Sequence, residues 1–151
     1  MQNPDEHVDH PGPVLHTLVY CSRAADGLDA KAIDQIVATA KRHNPSFGIT
    51  GLLVFGSGIF FQWLEGPRDN VIGLMRIITA DPRHTSVVLL SEEDDVTDRM
   101  FPNWDMELVE ASDIREVLVD AEQHATDPKQ KQTLAQLLEE LDTGSLGALV
   151  N

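Results

Sequence analysis

The chain has 151 residues, of which 42% are hydrophobic, and this size and composition fit one globular domain with a real core. A formal net charge of -14 without a basic cluster disfavours direct contact with nucleic acid or with an anionic membrane. No apolar run could span a bilayer, no signal-peptide pattern is present, and Cys21, the single cysteine, excludes an intramolecular disulfide, so we expect a cytoplasmic location.

The first strand is predicted from Leu15 to Ser22, after a polar stretch at residues 1–13 that we expect to be a disordered lead-in. Side chains alternate between the two faces of a strand, so Tyr20 and Ser22 share one face and Cys21 lies on the other. Tyr20 is the only tyrosine. A core tyrosine usually hydrogen-bonds to a neighbour, and taken alone it is more simply a core aromatic than a functional group.

The first helix is predicted over residues 30–43, where apolar residues recur at helical spacing behind a good N-cap, Asp29. Pro45 ends this helix. Because the residue before a proline is pushed out of the helical region, Asn44 is expected to be extended. Asn44 and its neighbour His43 are capping or turn residues in the simpler interpretation. In the functional interpretation they read the polar edge of a flat ligand.

A hairpin is predicted from two apolar segments, Ile49 to Phe55 and Ile59 to Glu65, around a Gly-Ser-Gly turn. Gln62 lies in its second strand between two aromatic residues, and a buried amide must find hydrogen-bond partners. The simpler interpretation is a satisfied core glutamine. The hairpin is apolar on both faces, and two core helices can cover only one of them. The other face therefore needs the C-terminal helices or a second subunit, which favours a homodimer.

A second helix is predicted to begin with Pro67 at its first position and to end at Asp81 and Pro82. Arg83 and His84 follow at once. Together with Asp81 they form either a solvated loop, which is the commoner case, or a site for the edge of a ligand.

The last strands are weaker signals. Ser86 to Leu90 predicts a short buried strand, and the acidic run Glu92 to Asp95 predicts a solvated loop. Trp104 and Met106 are predicted to share the inner face of a half-buried strand. Beyond Ser112 the chain is predicted to be helical, with a stripe of leucines.

The order strand, helix, strand, strand, helix, strand, strand predicts an α+β fold. We expect a ferredoxin-like βαββαββ sheet with two helices on one face and a C-terminal helical extension. The sheet unit would span residues 14–110 and the extension residues 111–151. Other chemistries find no support, because the sequence has no Cys/His spacing for a metal, no phosphate-binding glycine motif and no G-x-S-x-G elbow.

Several segments, each weak alone, together resemble the BLUF family, the sensors of blue light using flavin. Their order and spacing agree from about Leu15 to Val109. The matching segments are Leu18-Val19-Tyr20 with Ser22, His43-Asn44, Ile49-Thr50-Gly51-Leu52-Leu53, Phe60-Phe61-Gln62-Trp63-Leu64-Glu65-Gly66, Asp81 with Arg83-His84, and Trp104 with Met106. The phenylalanine-rich segment is most similar to the BLUF domains of photosynthesis-gene antirepressors. The short extension is similar to that of the stand-alone members.

The resemblance implies a bound flavin, which is FAD by family expectation, with FMN possible. The isoalloxazine ring would lie between the two core helices, with Asn44 on its carbonyl and imide edge and Gln62 between Tyr20 and the ring. The residues that the resemblance assigns to the flavin are Tyr20, Ser22, Ile36, His43, Asn44, Phe60, Gln62, Ile78, Asp81, Arg83 and His84. Ile77 departs from the pattern, since many relatives carry a basic or polar residue there.

The resemblance also implies a light-driven switch and no enzymatic activity. Tyr20 would pass an electron and then a proton through Gln62 toward the excited flavin, and Gln62 would end rotated or tautomerised. The changed hydrogen bonds at flavin N5 and O4 would move the absorption slightly to the red. The signal would leave by Trp104 and Met106 toward the C-terminal helices and an unidentified protein partner.

Two alternatives use the same fold. An acylphosphatase-like enzyme needs an anion-binding loop after the first strand, and the segment from Arg23 to Gly27, with one arginine and one aspartate, is a poor cradle. A dimeric regulatory module without flavin would be colourless and would leave Tyr20 and Gln62 as ordinary core residues.

Overall fold

The computed structural model describes residues 15–56, 58–110 and 112–143. The expected lead-in at residues 1–13 and Ser57 of the predicted turn lie outside these ranges. The strands are β1 (Leu15–Ala24), β2 (Thr50–Gly56), β3 (Ile59–Gly66), β4 (His84–Val96) and β5 (Asp105–Glu110). The helices are α1 (Ala30–His43), α2 (Arg68–Ala80), α3 (Ile114–His124) and α4 (Pro128–Thr143), and a 3-10 turn spans Asn44–Phe47.

The strands form one sheet in the order β4-β1-β3-β2-β5. β1 pairs antiparallel with both β3 and β4, β2 pairs antiparallel with β3, and β5 joins parallel to β2. The first four strands in this order, with α1 and α2 between them, give the ferredoxin-like arrangement. The predicted α+β fold with a C-terminal helical extension is therefore confirmed.

Each face of the sheet carries its own hydrophobic core. On the front face, Tyr20 and Phe60 pack with Ile33 of α1 and with other apolar residues of α1 and α2. On the back face, Trp63 packs with leucines of α3 and α4, among them Leu118. The chain's own helices thus cover the second apolar face of the hairpin. Within the described ranges, no helix combines the length and the apolar content needed to cross a membrane.

The end of α1 differs from the prediction. Asp29 caps the helix as expected, accepting a hydrogen bond from the Ala32 amide at 2.9 Å. Asn44, however, is helical, with φ -61° and ψ -40°, and is not extended. The backbone N–H of Asn44 donates to the Ala40 carbonyl, and the backbone carbonyl of Asn44 accepts from the Ile49 N–H at 3.0 Å. These bonds carry the chain straight into the 3-10 turn and outweigh the bias that the following proline imposes. The start of α2 differs from the prediction by one residue: Pro67 precedes the first helical residue, Arg68, and is not itself the first helical position.

Strand β4 is much longer than the predicted strand from Ser86 to Leu90. It spans His84–Val96 because β1 continues the ladder to the pair Leu15–Val96. The acidic run that was predicted as a loop is therefore paired backbone. Its carboxylates contact the buried His16, with Nε2 2.7 Å from Glu92 and Nδ1 3.2 Å from Asp94.

Strand β5 contains a bulge that the alternating pattern conceals. Its pairing with β2 shifts by one residue, from Gly51–Asp105 to Leu52–Glu107, and Met106 at the shift has a φ of 68°. A bulge leaves one residue unpaired and turns its neighbours. Met106 consequently lies in the front core while Trp104 packs against the back core. The prediction that both share one face was wrong.

Candidate functional site

A cavity of about 510 Å³ lies between α1, α2 and the front face of the sheet. That volume is typical of a small-molecule site. Its walls are mostly apolar, with polar groups at a few places. The lining residues are Ile36, Thr39, Ala40, His43, Asn44, Phe47, Ile49, Leu53, Gln62, Asp69, Asn70, Gly73, Leu74, Ile77, Ile78, Asp81, Arg83 and His84. The cavity has the shape and chemistry of a slot for a flat, partly polar ring. No group of three or more His, Cys, Asp or Glu residues in the described ranges is placed to hold a metal ion.

Most of the residues assigned to a flavin line this cavity. They are Ile36, His43, Asn44, Gln62, Ile78, Asp81, Arg83 and His84. Tyr20, Ser22 and Phe60 stand one layer behind the wall, and each of them contacts a residue that lines it. The structure thus gathers the whole predicted set around one cavity, in two layers.

Tyr20 and Gln62 form a buried hydrogen-bonded pair at the floor of the cavity. They stand directly opposite each other on β1 and β3, and the Tyr20 hydroxyl donates to Gln62 Oε1. Burial raises the pKa of Tyr20, and the negative charge of Asp81 raises it further, so the phenol stays protonated. With Oε1 occupied, the amide nitrogen of Gln62 is the end that can donate to a ligand.

Asn44 brings a second amide to the cavity, at the C-terminal end of α1. The residue is 3% exposed, and its Nδ2 has no hydrogen-bond partner in the part of the chain that the structure describes. A buried donor without a partner is uncommon and costs free energy. A ligand with carbonyl oxygens along one edge would satisfy it, which is the pattern of an isoalloxazine ring. The residues present therefore fit a flavin.

Asp81 and Arg83 bound one side of the cavity as an ion pair. Arg83 Nη2 lies 2.6 Å and Nε 2.9 Å from Asp81 Oδ2. The hydrogen bond from Arg83, helped by its charge, lowers the pKa of Asp81. The arginine charge is thus largely neutralised within the chain, so it is not free to act as a lone cation toward a ligand.

His84 links the cavity wall to the layer behind it. Its Nδ1 lies 2.8 Å from the hydroxyl oxygen of Ser22, and its ring centre lies 4.6 Å from that of Phe60. Burial lowers the pKa of His84, with Asp81 opposing the shift. A neutral imidazole therefore stands beside the Tyr20–Gln62 pair, with 6.1 Å between its ring centre and that of Tyr20.

Sequence reasoning missed several residues of the wall and mouth. Two sets follow from helical spacing: Thr39 and Ala40 lie on the same face of α1 as Ile36, and Asn70, Gly73 and Leu74 lie on the inner face of α2. Repeating the i, i+3, i+4 rule from Ile36 and Ile78 would have found them. Ile77, already noted as a departure from the family pattern, lines the cavity from an exposed position. Phe47, Ile49, Leu53 and Asp69 carry no such signal, because tertiary packing alone brings them to the cavity. The proposed relay residues Trp104 and Met106 are not part of the lining.

A family model matches this chain. Its description is "Sensors of blue-light using FAD", abbreviated BLUF, and the match covers residues 15–107. Among solved structures, BlrB, a BLUF protein in its dark state, is similar with a TM-score of 0.66 and 30% identity. That similarity covers 87% of this chain and 97% of BlrB. The matched residues contain β1 to β4, both front-face helices and the first half of β5.

Curated relatives share the same region. The blue light- and temperature-regulated antirepressor BluF of Escherichia coli strain K12 is 42% identical over 77 residues. The photoactivated adenylate cyclase subunit beta of Euglena longa is 43% identical over 74 residues. These matches cover 51% and 49% of this chain but 19% and 9% of the two relatives. The chain therefore spans a small part of the curated relatives that it matches.

Proposed function

Because this chain belongs to the BLUF family, the sensors of blue light using FAD, we propose that it is a blue-light photoreceptor whose cavity holds the isoalloxazine ring. The observation that carries the proposal is the buried Tyr20–Gln62 hydrogen bond at the floor of a 510 Å³ cavity. FAD is the family's cofactor. FMN carries the same ring and would meet the same walls.

The proposed contacts follow from the lining. Ile36 of α1 and Ile78 of α2 would pack against the faces of the ring. Asn44, with its unpaired amide, would donate to the carbonyl edge, and Gln62 would donate from its nitrogen end. Four further residues bound the polar side of the cavity: His43, Asp81, Arg83 and His84.

The proposed switch uses groups that are already in contact. Flavin supplies a strong one-electron oxidant when it absorbs blue light. Tyr20 would give an electron to that oxidant, and its phenol, then a strong acid, would pass its proton to Gln62 Oε1 along the existing hydrogen bond while the Gln62 nitrogen gives one of its own protons toward the ring. When the electron and the proton return, the amide of Gln62 is left rotated or tautomerised. Reversing an amide costs little space because its oxygen and nitrogen ends have nearly the same shape. The cavity then faces a different pattern of donors and acceptors.

The output in this proposal goes to a protein partner. Residues 14–110 are the proposed flavin unit and residues 111–151 the proposed output extension. Trp104, directly before β5, packs against the back core and Met106, within β5, lies in the front core, so this part of the chain is suited to pass a change from one core to the other. The net charge of -14 supports a protein partner over nucleic acid or an anionic membrane. No catalytic step is assigned to this chain.

A homodimer and a cytoplasmic location stay predictions. The hairpin face that favoured a second subunit is covered by α3 and α4 of the same chain, so that argument no longer requires a dimer. The family match also leaves the two alternatives, the acylphosphatase-like enzyme and the colourless regulatory module, without support of their own.

The test is the absorption spectrum of the purified protein before and directly after blue illumination. We expect a flavin band that moves to the red as a whole and recovers in the dark. Gln62→Leu should keep the flavin and lose the shift, because the reversible amide is gone. Gln130→Leu is the matched control, since Gln130 is also a buried glutamine but lies on the back face against Thr17. A protein that remains colourless after incubation with FAD would overturn the proposal.

A further inference from the structure

Glu65 is a fully buried carboxylate on the back face of β3, outside the cavity. It accepts four hydrogen bonds. Two come from side chains, from Trp63 Nε1 at 3.1 Å and from the Thr50 hydroxyl at 3.0 Å. Two come from the backbone amides of Met100 at 2.9 Å and Phe101 at 2.7 Å. Burial raises the pKa of Glu65, while the four donors oppose that shift. All four partners donate, which suits an ionised carboxylate.

The two backbone donors belong to the segment that connects β4 to β5. Arg99 fastens the same segment from outside, with Nη2 2.7 Å from the Gly48 carbonyl and Nη1 2.8 Å from the Thr50 hydroxyl. This segment, residues 99–104, is therefore tied to the hairpin at several points, and Glu65 supplies the innermost ones. We call these contacts the Glu65 clamp.

Aromatic packing connects the clamp, whose last backbone donor is Phe101, to the start of β5. Phe101 stacks edge-on against Trp63, with 5.5 Å between ring centres, and Trp104 packs on Phe101 at 5.3 Å. The Trp104 carbonyl accepts from the Gly51 amide at 2.9 Å. Two residues later, Met106 takes the left-handed conformation that non-glycine residues avoid.

The sequence pattern of β5 is that of a regular strand. Without the bulge, and with Leu52–Glu107 still paired, alternation would bring Trp104 to the front face beside Met106. The bulged form has an unfavourable φ at Met106, so something must hold it. The Glu65 clamp fixes Phe101 on the back face, and Phe101 is the ring on which Trp104 packs.

We propose that Glu65 is the positioning residue that holds Trp104 on the back face and away from the switch pair. Losing the clamp removes the bulge and carries Trp104 to the front face, next to Met106. Only the effect on a bound flavin rests on the proposed function, because an indole on the front face would stand near that flavin.

The experiment compares wild type with Glu65→Gln in the purified full chain. A neutral amide presents only one acceptor oxygen, so it cannot satisfy the four donors. In NOE spectra we expect the Trp104 indole to contact the Phe101 ring in wild type and the Met106 methyl in Glu65→Gln. Arg99→Gln, which loosens the same segment from a partly buried position, should shift the pattern in the same direction. It also keeps the test open if Glu65→Gln does not fold. Glu92→Gln, an acid on β4 far from the segment, is the matched control and should resemble wild type.

A second readout uses the flavin-loaded protein. Glu65→Gln should lose flavin fluorescence relative to wild type, because a nearby indole quenches an excited flavin, and the added change Trp104→Phe should restore it. Unchanged contacts of Trp104 in both clamp variants, or a fluorescence loss that Trp104→Phe does not reverse, would overturn the inference. A wild-type chain that binds no flavin would count against the proposed function alone, since the NOE contacts test Glu65 without a cofactor.

Discussion

Two buried amides, Asn44 and Gln62, meet the cavity in different states. Gln62 already has a partner in Tyr20, whereas the Nδ2 of Asn44 has none among the described residues. An amide whose hydrogen bond is already formed before a ligand binds is suited to a switch, because that bond can be exchanged for another. A group that is unsatisfied before binding serves recognition, because the ligand removes its cost. In the proposed function, holding the ring and responding to light therefore fall to two different side chains.

Asn44→Ala should therefore act in opposite directions on the two forms of the protein. The flavin-free protein should become no less stable, and up to about 1–3 kcal/mol more stable, because a buried unpaired donor disappears. Flavin affinity should fall about five- to tenfold with the lost hydrogen bond. Urea unfolding and flavin titration measure the two effects.

Asn70→Ala is the control for this change. Asn70 also lines the cavity, but its Nδ2 donates to the Phe47 carbonyl at 2.8 Å. Its loss should lower the stability of the flavin-free protein. If both variants destabilised that form equally, the Asn44 amide would have a partner that the structure does not show.

His84 should make the stability of the fold depend on pH. Burial lowers its pKa below 6.5, its ordinary value, so the unfolded chain takes up a proton before the folded one does. Stability is therefore full above about pH 6.5 and declines as the pH falls from there to the lower folded-state pKa. His84→Gln should flatten this part of the profile, as measured by thermal unfolding from about pH 7 to pH 5. A profile as steep as that of wild type would assign the pH dependence to another group.

At the scale of elements, α2 has a glycine in its interior that helix propensity does not explain. Gly73 lies in the helix interior and lines the cavity, and a Cβ built there meets nothing within 4 Å. A glycine in a helix interior costs about 1 kcal/mol relative to alanine. The destabilising glycine therefore stands at the position where a larger side chain would enter the cavity.

Gly73→Ala should stabilise the flavin-free protein by up to about 1 kcal/mol in urea unfolding. Gly73→Leu should fold but bind little flavin, because the larger side chain fills the slot. Gly58→Ala, also in open space but with a φ of 77°, should lower stability and leave flavin binding unchanged. A Gly73→Leu protein that retains its full flavin content would place the ring elsewhere.

Strong local patterns predicted the elements, and interactions between elements account for the differences. The alternation in β1 and β3 was enough to put Tyr20 and Gln62 on the front face, because strand parity is a local property. The length of β4 was not predictable in this way, since its acidic half reads as a loop and is a strand only through its pairing with β1. The side of Trp104 depends on a one-residue bulge that leaves no mark in the sequence.

At the scale of the whole molecule, the sheet separates two cores with different tasks. The front core surrounds the cavity and the Tyr20–Gln62 pair, and the back core joins the sheet to α3 and α4. Consecutive residues of β3 face opposite cores, so Gln62 and Trp63 bring the two within one peptide unit of each other. The candidate cavity and the proposed output helices are thus built into one continuous structure.

The position of β1 in the sheet also has a consequence for folding during synthesis on the ribosome. β1 is the first strand that the structure describes, yet it lies between β3 and β4, and Leu15 pairs with Val96 only after the intervening helices and strands have been made. Pairings between such distant residues form slowly. Until β4 emerges, β1 has an open edge and His84, which lines the cavity, has not joined it. The nascent chain should therefore acquire its cofactor late, after the sheet has closed, and not while its first half is being translated.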